Sequence, residues 1–361
     1  MKHVTIPEEL KRLHPFWNAW HIEGVLGSGA YGKVFRIVKH DRSGIYEAAL
    51  KWIPLPENEQ ELDLRRSEGL SKTSIDRYYS DKANELEQEI KLLSRFKGTS
   101  HIVSYEDHLI EKRKKSTGWD ILIRMELLTP LGEYLSHSLV TCRDIVSMGI
   151  DLCDALSLCH RNNVLHRDIK PANIFRSGNG DFKLGDFGIS RKVESKTDKL
   201  TQIGTWDYMA PEVKMGSSYG AEADIYSLGL VMYKALNASH SSKGQAASGF
   251  LTAEQNDQAA IRLLQGEALP KPKYGTDALW IILQKACALL PGDRYEDAAG
   301  MRKDLEAVEN DPALNQVISS GHGMEYKTHQ ANGLTGTGTI LIPGGGRSTS
   351  RQVRTTGREE G

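Results

Sequence analysis

The chain has little cysteine, no surplus of either charge and no long apolar run, and each shortage closes off a class of function. Its four cysteines in 361 residues, Cys142, Cys153, Cys159 and Cys287, include no CxxC pair, so neither a zinc knuckle nor a disulfide framework is written into it. Cys153 and Cys159 stand among apolar neighbours on a helix-like stretch, which predicts buried, reduced thiols. Lys and Arg number 46 against 47 Asp and Glu, so no overall field draws the chain to nucleic acid or an anionic membrane. No window reaches the roughly 18 consecutive apolar residues of a membrane span. The longest apolar stretch, 226–236, is short and contains Ser227 and Lys234. The first twenty residues carry Glu8, Glu9, Lys11, Arg12, Pro7 and Pro15 instead of the apolar core of a signal peptide. The expectation is a cytoplasmic protein with no membrane span and no nucleic-acid partner, whose recognition is local.

What is present suits a folded chain, with 39% hydrophobic and 26% charged residues, enough for one large domain or two lobes. Val34, Phe35, Ile37 and Val38, the polar turn at 40–44 and the apolar run 45–52 predict a hairpin. Residues 54–73 are charged and poorly periodic, a surface connection, and 74–96 predict a long helix capped by Ser74. Apolar runs at 102–110 and 121–128, joined by a basic turn at 111–118, complete a small sheet. Beyond Leu131 the spacing of Ile145, Met148, Leu152, Leu156 and Cys159 is helical. The pattern stays largely helical to Ala307, apart from a loop-rich part at 161–211. Thr129-Pro130-Leu131-Gly132 reads as a connection between lobes. After Asp311 the chain is rich in Gly, Ser, Thr and Arg, which predicts a flexible tail. No internal repeat is visible.

The densest chemistry lies in His166-Arg167-Asp168-Ile169-Lys170-Pro171-Ala172-Asn173 and the nearby Asp186-Phe187-Gly188. Two carboxylates, an amide, an ammonium and a guanidinium supply hard oxygen ligands for Mg²⁺, cationic donors for phosphate oxygens and a carboxylate for the attacking group. Upstream, Gly27-Ser28-Gly29-Ala30-Tyr31-Gly32 is a GxGxxG, weak evidence alone. A dinucleotide fold requires a helix at its third glycine, whereas Lys33 to Val38 continue as a strand, so the loop caps a hairpin whose amides can lie over phosphates. Lys51 ends the next strand. A carboxylate on the following helix would hold its ammonium toward phosphate, and Glu89 is chosen by its spacing to His101-Ile102-Val103, with Glu85 and Glu87 as competitors.

Taken in order, these motifs resemble a eukaryotic-type protein kinase domain of the serine/threonine branch over residues 20–308, and the end of its large lobe is similar to bacterial members. The resemblance implies an α+β, bilobal fold with a β-rich small lobe and an α-rich large lobe. The expected division is an extension at 1–19, lobes at 20–128 and 129–310, and a tail at 311–361. It implies ATP and Mg²⁺ as cofactors. Gly27, Gly29 and Gly32 would cover the phosphates, Lys51 would contact the α and β phosphates, and Glu89 would position it. Asp168 would accept the substrate hydroxyl's proton, Lys170 would support the γ-phosphate, and Asn173 and Asp186 would bind metal. Met125 matches the gatekeeper, Glu126 and Leu128 belong to the adenine-contacting hinge, and Val34, Ala49 and Phe175 fall where adenine packs. Asp168 to Asn173 together with Gly204-Thr205 resembles the serine/threonine branch in particular. Glu212 with Arg294, and Asp224, resemble structural residues of the family.

Arg167 before Asp168 is, in that family, the receiver of an activation-segment phosphate, which makes Ser195, Thr197 and Thr201 candidate autophosphorylation sites. In the tail, Thr337 and Thr339 stand three residues before Ile340 and Ile342. This is a spacing that phosphothreonine-binding forkhead-associated modules favour, set against a reading of the tail as an inert linker. Arg347, Arg351, Arg354 and Arg358 keep such a tail solvated. The partners expected are proteins with Ser or Thr acceptors. A nucleotide-binding pseudokinase or scaffold, a small-molecule phosphotransferase and a dual-specificity kinase are the other readings.

Overall fold

The computed structural model describes residues 6–29, 32–114, 116–186, 206–217, 219–237 and 267–320, all within one compact unit, Met1–Gly323. The fold is α+β and bilobal. Five antiparallel strands, β1 (His21–Gly29), β2 (Gly32–Asp41), β3 (Gly44–Leu55), β4 (Tyr105–Lys112) and β5 (Trp119–Met125), form a sheet in the order β1-β2-β3-β5-β4. The predicted hairpin is β2–β3, closed across Arg42-Ser43, with Asp41 opposite Gly44. Asp41 Oδ1 accepts the Ser43 N–H at 2.8 Å and so shapes the turn.

Strand periodicity sorts β3 and β5 onto two cores. Ile53, Leu55, Ile121 and Ile123 face a long helix. Ala48, Leu50, Trp52 and Leu122 face the opposite side. The charged connection contains the helix α2 (Glu59–Ser67), absent from the sequence expectation because only Leu62 of it is buried. The long helix α3 spans Lys72–Leu93 and starts earlier than predicted, since the Ser71 hydroxyl, not Ser74, caps it by accepting the Ser74 N–H. Its stripe Ile75, Tyr79, Ala83, Leu86 and Ile90 packs on the sheet.

The opposite face is covered by the residues before β1. A short helix, α1 (Glu8–Lys11), brings Leu10, Phe16 and Trp20 onto Phe35, Ile37, Leu50 and Trp52. Asp120 on β5, fully buried, fixes this cover by accepting from Arg12 at 2.7 Å, Trp52 Nε1 at 3.0 Å and Arg113 at 2.9 Å. The extension is thus part of the small lobe's core.

The large lobe follows β6 (Thr129–Pro130) and comprises α4 (Leu131–His137), β7 (Leu139–Thr141), α5 (Cys142–Arg161), β8 (Ile174–Arg176) and β9 (Phe182–Leu184), then α6 (Pro211–Lys214), α7 (Ala221–Leu236), α8 (Asp277–Ala286) and α9 (Ala298–Val308). A capping box between Thr141 and Asp144 starts α5. From Ala223 to Leu236 every residue of α7 is buried, which makes it the axis of the lobe. All four cysteines are free and buried, and burial pushes the thiols of Cys142 up to about 11 and Cys287 up to about 12.

The expected tail boundary at 311 is corrected. Residues 312–315 form a turn of 3₁₀ helix, and β10 (Val317–Ser320) pairs antiparallel with β7. Leu314 and Ile318 are buried, and Arg143 donates to Asp311 O at 3.2 Å and Asn315 Oδ1 at 3.1 Å. Leu314, Val317 and Ile318 are spaced as on a helix and do not alternate, so their pattern does not reveal a strand whose partner lies far back in sequence. The tail threonines and arginines named above lie outside the described residues.

Arg294, after α8, joins the far part of this lobe to α6. Its guanidinium spends every N–H: on both Glu212 oxygens at 2.8 Å, and on Ala288 O, Leu289 O and Glu222 O. Arg294→Met leaves the buried Glu212 carboxylate without its counter-charge and is expected to cost about 3–5 kcal/mol in urea unfolding. Phe16→Ala, which opens the small lobe's outer core, is expected to cost about 3–5 kcal/mol in the same measurement.

Candidate active site

The register of the sheet assembles one wall. Gly27 lies opposite Val34, Val34 opposite Lys51 and Ala49 opposite Met125, so cross-strand pairing puts these residues on a common face. Gly32 is required by its backbone: φ is +115°, and a Cβ there would stand 1.9 Å from Trp52 O. Among the described residues, its chain neighbours aside, nothing lies within 4 Å of where a Cβ on Gly27 would be. Gly29 ends β1, and Ala30 and Tyr31 lie outside the described residues.

The opposing wall is the loop between α5 and β8. Asp224 on α7, 2% exposed, accepts three N–H groups: His166 N and Arg167 N at 2.8 Å each and His160 Nε2 at 2.9 Å. Arg167 has φ +68°, a left-handed conformation that costs a non-glycine residue free energy, and the carboxylate contact holds it there. Burial would raise the Asp224 carboxyl, but the His160 hydrogen bond and the neighbouring charges outweigh it and hold the group below the usual carboxylate range.

His166 is fully buried and joins two loops. Its Nε2 donates to Gly185 O at 2.9 Å, and its Nδ1 accepts the Asp168 N–H at 3.3 Å. That pattern requires a neutral ring, since a proton on Nδ1 would face the Asp168 N–H. Burial lowers its pKa in the same sense, against the pull of Asp224. Gly185 N donates to Asn173 O at 2.9 Å, which brings Asp186 beside the loop that carries Asp168. A Cβ on Gly185 would meet Val103 Cγ2 at 2.8 Å and Phe175 Cε2 at 2.9 Å, so the close approach of these segments depends on glycine.

Asp168 Oδ2 accepts from Asn173 Nδ2 at 3.0 Å and from Lys170 Nζ at 2.9 Å. Asn173 Nδ2 also donates to Asp168 O at 2.7 Å. Two acceptors on one nitrogen fix which end of the Asn173 amide is which, and its oxygen is not used by either bond.

Lys51, 7% exposed, pairs with Asp186 Oδ1 at 2.5 Å. This corrects the expected Lys51 to Glu89 ion pair. Glu89 lies on a half-buried position of α3, whereas Asp186 adopts φ +53° and reaches the ammonium from the large lobe. Burial would raise the Asp186 carboxyl, and the Lys51 charge overrides this and keeps it below the usual range. Phe187, Gly188, the Gly204-Thr205 pair, Ser195, Thr197 and Thr201 lie outside the described residues. Beside Asp168, a small cavity has a mixed lining that includes Arg167, Asp224 and Ser227 as well as Ile169, Tyr208 and Val213.

Sequence reasoning did not find His160, a lone histidine at a helix end, or Lys183 on β9. Lys183 grips Glu126 through both carboxylate oxygens at 2.8 and 2.9 Å. Nothing local marks either residue, because each acts on a partner more than fifty positions away.

A depressed His166 pKa means that the unfolded chain takes up a proton near pH 6.5 that the folded ring refuses. This contribution to stability is therefore full above that pH and is lost as pH falls below it. Imidazole ¹⁵N NMR at pH 6 is expected to show His166 as the neutral Nε2–H tautomer, while an exposed histidine is about three-quarters protonated.

Comparison with known proteins agrees with this geometry. A family model described as the protein kinase domain matches residues 20–304. The serine/threonine-protein kinase PknB of Mycobacterium tuberculosis is 32% identical over 213 residues, 56% of this chain and 33% of that protein. A probable serine/threonine-protein kinase PknB of Corynebacterium glutamicum is 29% identical over 225 residues, 60% of this chain and 34% of its own length. A probable serine/threonine-protein kinase of Corynebacterium efficiens is 36% identical over 168 residues, 44% of this chain and 24% of its own. The chain thus spans about a third or less of these relatives. With most of its length matched by the family and both lobes built around the motifs above, the chain belongs to the protein kinase domain family.

Proposed function

We propose that this chain is an ATP- and Mg²⁺-dependent protein serine/threonine kinase, with Asp168 as the group that receives the acceptor hydroxyl's proton. The observation that carries the reading is the placement of that carboxylate. One oxygen is held by Asn173 and Lys170, and the loop bearing it is locked to Asp224 and to the segment of Asp186. A carboxylate so fixed can orient a hydroxyl and take its proton as the phosphoryl group arrives. Lys170, 2.9 Å from Asp168, would accompany the γ-phosphate into the transfer. Gly27, Gly29 and Gly32 would lie over the phosphates.

The donor set fits the metal. Among the described residues no three His, Cys, Asp or Glu side chains form a cage, and Mg²⁺ with a nucleotide asks for none, since phosphates and water complete its shell. Asn173, through its amide oxygen, and Asp186, ionised beside Lys51, are the residues that would hold it. Bound there, Mg²⁺ supplies neutralisation of the charge on the transferring phosphates. Val34, Ala49, Met125, Leu128 and Phe175 would enclose the base, and Glu126 would meet it through its main chain.

Lys51 has two calls on it, Asp186 in this structure and Glu89 in the arrangement that phosphoryl transfer in this family requires. Autophosphorylation at Ser195, Thr197 or Thr201, read by Arg167, is the proposed signal that favours the second. The Thr337 and Thr339 segment is the proposed docking site for a phosphothreonine-binding module.

Incubation with labelled ATP, Mg²⁺ and a generic protein acceptor tests the function. Wild type is expected to yield phosphoserine or phosphothreonine by mass spectrometry, and Asp168→Asn to lower transfer by about 10²–10⁴-fold while still binding nucleotide. Nucleotide binding without transfer by wild type would favour a pseudokinase instead.

A further inference from the structure

Residues 126–128 carry the chain from the sheet to the helical lobe, and there Glu126 joins three segments that are far apart in sequence. Its N–H donates to Ser104 O at 3.2 Å, and its Oε1 accepts the Ser104 N–H at 2.5 Å. Both of its carboxylate oxygens take the Lys183 ammonium, at 2.8 and 2.9 Å. The pair is well enclosed, with the Lys183 side chain 12% exposed and that of Glu126 23%. A charge-assisted, two-oxygen contact at this depth is worth more than an exposed ion pair.

The Ser104 segment is itself fastened to the large lobe. Val103 N donates to Leu184 O and Leu184 N to His101 O, each at 2.9 Å, so residues 101–103 run beside β9 as a parallel partner. Lys183 immediately precedes Leu184 on β9, opposite Phe175 of β8 and three residues before Asp186. Hinge, preceding loop and β9 therefore form a closed ring whose one charged link is Glu126 to Lys183.

We infer that Lys183 is a positioning residue for the nucleotide site, holding the hinge at Glu126 in fixed register with Phe175 and Asp186. The functional consequence rests on the proposed nucleotide-binding reading, whereas the tie itself rests on geometry alone. Without the ammonium, the Glu126 carboxylate keeps only the Ser104 N–H, and the hinge can rotate away from the base-facing residues. The pre-organisation lost should appear in nucleotide affinity more than in the transfer step.

Two variants on the full chain test this. Lys183→Met is expected to speed amide hydrogen exchange across residues 124–130, an arm that needs no nucleotide. It should also weaken binding of a non-hydrolysable ATP analogue by about fivefold, with a larger change in KM for ATP than in kcat. Glu126→Gln, which retains an oxygen for the Ser104 N–H, should do the same, and the double variant should be no weaker than Lys183→Met alone. Lys183→Arg should restore affinity to within about twofold. Unchanged exchange would overturn the tie. Faster exchange with unchanged affinity, effects of the two variants that simply multiply, or a kcat that rises at constant affinity would overturn the positioning role. If Lys183→Met does not fold, Glu126→Gln alone decides both arms. A wild type that binds no nucleotide would fail the functional reading while the exchange arm still decides the tie.

Discussion

The carboxylate of Asp224 is the contact on which the rest of the site depends. It projects from the most deeply buried helix of the large lobe and accepts three N–H groups, two of them main-chain donors of consecutive residues, His166 and Arg167. A buried carboxylate without such donors would be costly, and a loop with a left-handed arginine would not hold its shape unaided. Each defect cancels the other. From this anchor the order spreads outward, through the neutral ring of His166 to Gly185 and through Asn173 to Asp168.

The second organising fact is electrostatic. Lys51 and Asp186 come from different lobes and meet at 2.5 Å, so one ion pair crosses the cleft between the sheet and the helical lobe. Burial of the Lys51 ammonium makes this partner necessary, and its charge in turn keeps the Asp186 carboxyl below the usual range.

Both lobes borrow material from beyond the region that carries the chemistry. Leu10, Phe16 and Trp20 close the outer face of the small sheet, and the buried Asp120 gathers Arg12, Trp52 and Arg113 to hold them. At the other end, Leu314 and Ile318 seal the large lobe while β10 pairs with β7. These additions complete the cores of the two lobes.

The sequence by itself determined the lobe architecture, the β2–β3 hairpin and membership of the protein kinase domain family. Those rest on short-range periodicity and on motifs whose members lie within about twenty positions of one another. It did not determine pairings. Lys51 meets Asp186 instead of Glu89, Lys183 meets Glu126, His160 meets Asp224, and a short stretch after Asp311 finds a strand more than 170 positions earlier. Local spacing restricts which side chains share a face, whereas contacts between distant segments follow from how the lobes pack and from which buried charge most needs a partner. That competition is settled only in the tertiary structure.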